Sequence, residues 1–85
     1  HYKESRVYFE KAFVIFKKIG DYLNEAKTLL GLGEFELSLR NFGPARTNLD
    51  QALSLFKKVK YIWGEASTLK ALGDLDYVHC KEVNN

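Results

Sequence analysis

The 85-residue chain has one cysteine, one proline and no methionine. Cys80, being alone, can close no intramolecular disulfide and can build no multi-cysteine zinc site. A reducing, cytoplasmic setting is therefore expected. No apolar run approaches the roughly 20 residues that span a bilayer. The opening His1-Tyr2-Lys3-Glu4 has neither the n-region nor the h-region of a secretory signal, and it is already in helical rhythm, as expected of a piece of something longer. Charge of one sign is also lacking: 13 basic against 11 acidic residues leave a net +2. Phosphate and anionic-lipid binding need a concentrated basic face, so no nucleic-acid and no membrane partner is expected. The length allows one small domain at most, and low-complexity sequence is absent.

What is present is a repeat. Phe16-Lys17-Lys18 recurs as Phe56-Lys57-Lys58, an offset of 40. At that offset Ala12 falls on Ala52, Glu25-Ala26 on Glu65-Ala66, Thr28-Leu29 on Thr68-Leu69 and Leu32-Gly33 on Leu72-Gly73. These make 10 identities in the 22 positions 12–33. A period of that size signals a stacked array.

The repeating unit is helical. Ala45, Leu49, Ala52, Leu53 and Phe56 make one apolar stripe of a 3.6-residue helix, and Phe9, Ala12, Phe13 and Phe16 reproduce it one period earlier. Between them, Ala26, Leu29, Leu30, Gly33 and Leu37 form one stripe, and Leu32, Phe35 and Leu39 a second. A helix with two apolar faces must touch neighbours on both. Ile62, Ala66, Leu69, Leu72, Gly73 and Leu75 repeat that arrangement. Gly20-Asp21 supplies a stop and an N-cap, and Pro44 is expected at the first position of the third helix. The pattern predicts an all-α chain of antiparallel helix-turn-helix repeats with four helices, near 3–19, 22–40, 44–59 and 62–80. Lys60-Tyr61, which replaces Gly20-Asp21 one period on, stops a helix poorly. Val59–Ile62 could then run on as helix, merging the last two helices and exchanging the final one between molecules.

Leu32-Gly33, Phe42, Ala45, Leu49 and Ala52 resemble the tetratricopeptide pattern of Leu-Gly, an aromatic after the turn, and small residues at set intervals. The 40-residue period is similar to the long-period members of that family, cell-polarity adaptors and repeat domains appended to signalling ATPases among them. The resemblance implies an α-solenoid with a half repeat at 3–19, a full repeat at 22–59 and a half repeat at 62–80. It implies a protein or peptide partner held in a concave groove lined by Lys27, Leu30, Glu34, Leu37 and Ser38. Ser67, Lys70, Asp74, Tyr77 and Val78 would line it one repeat later. Glu34 and Asp74 recur one period apart, so stacking would set them on one acidic strip suited to a basic or amide-rich partner.

Catalytic chemistry is weakly supported. His79 and Cys80 are adjacent, and neighbours on a helix point about 100° apart, so the imidazole is badly placed to activate the thiol. Glu34 and Glu36, like Asp74 and Asp76, fall on different helix faces. No cluster has metal-ligand spacing. The expectation is a non-enzymatic scaffold without catalytic, cofactor or metal residues. The alternatives are a self-associating, domain-exchanging repeat element and the regulatory arm of a larger signalling ATPase. Self-association draws on Phe9, Phe13 and Phe16 at one end and Leu69, Leu72 and Leu75 at the other, which have few partners within the chain.

Overall fold

Helix starts recur every 20 residues, so the 40-residue sequence period holds two helices of similar length. The computed structural model describes residues 1–84 and contains α1 (Tyr2–Ile19), α2 (Tyr22–Ser38), α3 (Phe42–Lys58) and α4 (Ile62–Asn84). Among the described residues there is no strand.

Three turns of one design set this rhythm. In the first, the Gly20 N–H donates to the Lys17 carbonyl and the Asp21 N–H to the Phe16 carbonyl. Arg40 and Asn41 repeat those bonds to Leu37 and Glu36, and Lys60 and Tyr61 repeat them to Lys57 and Phe56. This is the Schellman arrangement, whose penultimate residue must be left-handed. Its φ is 75° at Gly20, 63° at Arg40 and 57° at Lys60.

Two sequence expectations are corrected here. Val59–Ile62 does not run on as helix, and α4 folds back onto α3 of the same chain. The left-handed backbone costs a non-glycine residue about 1–2 kcal/mol. What offsets it at Lys60 is two backbone bonds and a packed Tyr61, whose ring lies 5.8 Å from that of Phe56. An apolar pair at these two positions commonly accompanies the motif. The second correction is at Pro44. Asn41 is the N-cap and Phe42 the first helical residue, so Pro44 is third. Ala45 is the first residue of α3 whose N–H finds a carbonyl, that of Asn41 at 3.0 Å, so the proline removes no bond.

Packing proceeds in chain order. The backbone of α2 closely approaches those of α1, α3 and α4, and that of α3 approaches α4, but among the described residues the backbone of α1 closely approaches neither α3 nor α4. The helices therefore form an open stack, not a closed bundle. The core lies in two clusters. Ala26, Leu29, Ala52 and Phe56 make the first; Ala45, Leu49, Ala71 and Leu75 make the second. Burying each large side chain here contributes about 1.5–3 kcal/mol. Gly33 allows the α2–α3 approach: a Cβ there would lie 2.6 Å from Leu49 Cδ2 and 3.3 Å from the Ala45 carbonyl oxygen.

The two apolar faces expected of α2 are both used. Ala26, Leu29 and Gly33 meet α3. Phe35 receives the Phe9 and Tyr2 rings of α1 at 5.8 and 6.5 Å. On α4 the equivalent of the first face is open, with Ile62, Ala66, Leu69 and Gly73 exposed; of the leucines expected to lack partners only Leu69 does, because Leu75 is fully buried in the second cluster and Leu72 packs against it. A Cβ at Gly73 would meet nothing within 4 Å.

Candidate protein-docking surface

Direct contact between α2 and α4, two helices that no turn joins, places the residues expected to line a groove on adjoining elements. Their roles differ. Leu30 and Leu37 are half-buried and belong partly to the core, Leu30 against both clusters and Leu37 against the second. Val78 is half-buried. Lys27, Glu34, Ser38, Ser67, Lys70, Asp74 and Tyr77 are exposed. The strip is less acidic than the recurrence of Glu34 and Asp74 suggests, because Lys70 Nζ holds Asp74 at 3.0 Å one turn away. The Lys27 ammonium lies over the Tyr61 ring, 5.2 Å from its centroid. Arg40 Nε reaches Glu82 at 3.1 Å and ties the end of α2 to the end of α4.

A second charged constellation escaped the sequence reading. Arg6 on α1 makes a bidentate pair with Glu36 on α2, at 3.0 and 2.9 Å. Arg46 on α3 pairs with Asp76 on α4. The two pairs are related by the 40-residue offset, and Arg6/Arg46 with Glu36/Asp76 was the available signal. Their environments differ. Glu36 is buried and accepts a third bond from Asn41 Nδ2 at 2.9 Å, whereas Asp76 is exposed. The Arg6 hydrogen bond is the main cause holding the Glu36 carboxyl below its usual range, against the opposing effect of burial. Glu36 thus joins two helices and the following turn, and it is a structural residue.

Two clefts lie elsewhere. A furrow of about 520 Å³ runs between α1 and α3, with Phe13, Leu29 and Leu55 as its walls and the buried Glu25 on its lining. A slot of about 460 Å³ runs along α1 and α2, lined by Ser5, Tyr8, Phe9, Ala12, Lys27 and Thr28. His79 stacks on Phe42 with ring centroids 4.3 Å apart, while Cys80 is exposed and accepts from Asn84 Nδ2 at 3.2 Å. Among the described residues no group of three or more His, Cys, Asp or Glu could hold a metal ion, and no helix is long and apolar enough to cross a membrane.

Fold and surface together define an all-α chain of sequentially stacked antiparallel helices. Comparison with protein families, with curated proteins and with solved structures finds no match to it.

Proposed function

We propose that the chain is a non-enzymatic, tetratricopeptide-like interaction scaffold that acts in the cytoplasm and holds a basic or amide-rich peptide or helix across α2 and α4. One observation carries the reading. α2 and α4 touch without a connecting turn, and Lys27, Glu34, Lys70, Asp74 and Tyr77 on those two helices are all exposed, which supports the reading. Leu30 and Leu37, half-buried against the core on α2, add apolar surface beside them. Exposed carboxylates beside an aromatic and leucine side chains are suited to steering and then anchoring a cationic segment.

A fluorescein-labelled Arg- and Gln-rich peptide, compared with its Glu-substituted counterpart by anisotropy, tests this. The basic peptide should bind better. The double change Glu34→Lys and Asp74→Lys should weaken it by about 1–3 kcal/mol. Substitution of Lys17, Lys18, Lys57 and Lys58 should leave it unchanged, because those residues complement helix C-termini. Sensitivity to the lysines alone, or equal affinity for both peptides, overturns the assignment.

A further inference from the structure

At the 40-residue offset, α4 is the counterpart of α2, and α1 is the counterpart of α3. The face that α2 turns to α3 carries Ala26, Leu29 and Gly33. α4 carries the same three residue types as Ala66, Leu69 and Gly73. In α2 that face is closed, with Leu29 only 3% exposed; in α4 it is open, with Leu69 52% exposed. The reciprocal comparison holds for α1. Ala45, Leu49, Ala52 and Phe56 of α3 are fully buried, while their counterparts Ser5, Phe9, Ala12 and Phe16 are only half-buried. Three of those four, with Tyr8, line the slot along α1 and α2. The chain thus presents, at opposite ends, the two halves of a junction that it already makes once internally between α2 and α3.

We propose that these halves join between two copies of the chain. α4 of one copy lies in the α1–α2 slot of the next, in the register of the α2–α3 pair. Gly73 then admits Phe9 as Gly33 admits Leu49. Trp63 stands where Leu23 stands in α2; Leu23 packs on the first core cluster, and Trp63 is 75% exposed in the single chain. The contact is heterologous and leaves the same two faces free at the ends, so it builds an open row and not a closed dimer. One position departs from the internal pattern. Lys70 replaces Leu30 and is held by Asp74, so the junction between copies is weaker than the one within the chain. The junction shares Lys27 and Lys70 with the proposed peptide-binding strip, but it is read out by association of the chain with itself, so the two proposals fail separately.

Sedimentation over a concentration series, read alongside the emission of Trp63, the sole tryptophan, tests it. Mass should grow past the dimer with concentration while the emission shifts to the blue. A Cβ at Gly73 meets nothing within 4 Å in the single chain, so the fold of Gly73→Leu should persist by circular dichroism while association weakens about tenfold or more. Ala12→Arg should block the slot, and Lys70→Leu should tighten the junction. Gly73→Leu leaves the slot intact and Ala12→Arg leaves α4 intact. An equimolar mixture of the two should therefore form a one-to-one dimer although neither variant associates strongly alone. A monomer with solvent-exposed Trp63 emission at millimolar concentration overturns the proposal. So does a closed dimer indifferent to Gly73→Leu, or a failure of the two variants to complement while both remain folded.

Discussion

Glu36 and Asp76 occupy the same place in the repeat and pair with equivalent arginines, yet only Glu36 is closed off from water. An exposed ion pair is screened and loses side-chain entropy, so it contributes little; removing a buried carboxylate leaves the donors of Arg6 and Asn41 without their acceptor. Glu36→Ala should therefore destabilise the fold by about 1–3 kcal/mol, and Asp76→Ala by no more than about 0.5 kcal/mol. The pH dependence follows from the direction of the shift. The folded Glu36 carboxyl titrates below its ordinary value of 4.5, so its stabilisation is complete above that pH and is lost as pH falls through the lower, folded value. Asp21, held low mainly by the Asn24 side chain and then by its backbone N–H, acts in the same direction. Thermal denaturation in mild acid should show melting temperature dropping below about pH 4.5, with a shallower drop in Glu36→Ala. Equal losses from the two alanine variants would refute the role of burial.

At the scale of the helix and its ends, residue identity proved a partial guide. Gly20-Asp21 announces a turn because glycine accepts left-handed backbone and aspartate caps, and Asp21 does accept from the Asn24 N–H at 3.1 Å. Asn41 with Gly43-Pro44 marks the second turn as well, whereas Lys60-Tyr61 announces nothing comparable, and all three turns are one motif. What completes it differs. In the second, the Asn41 side chain bonds Glu36; in the third, the Tyr61 ring packs on Phe56. These are contacts between residues five apart, invisible to a search for stop signals. The left-handed φ of 57° at Lys60 still carries strain. Lys60→Gly should raise stability by about 0.5–1 kcal/mol, the left-handed relief less glycine's extra chain entropy. A lower melting temperature for that variant in urea or thermal scans would mean that Lys60 makes compensating contacts.

For the molecule as a whole, an open stack distributes stability unevenly. α2 has three helical neighbours and α3 has two, but α1 has only α2 and contributes no fully buried residue. Opening of α1 exposes less apolar surface than opening of α2 or α3, so it should need less free energy. Native-state hydrogen exchange at low protein concentration should rank protection with α2 and α3 highest and α1 lowest. Uniform protection across all four helices would indicate a single cooperative unit and contradict the stacked description.

The 40-residue recurrence, the two-faced pattern of α2 and the small residue at Gly33 determined by themselves that the chain is all-α, has four helices and packs α2 on both sides. Those are statements about spacing and side-chain size, which a linear pattern carries. The tertiary structure alone decided which copy of each recurring residue is buried. Leu29 and Leu69, Gly33 and Gly73, Glu36 and Asp76 are matched in sequence or in charge but differ in surroundings, because α2 lies between helices and α4 has a free face. It alone also closed the turn at Lys60, where Tyr61 had first to find Phe56 before left-handed backbone could be held by lysine.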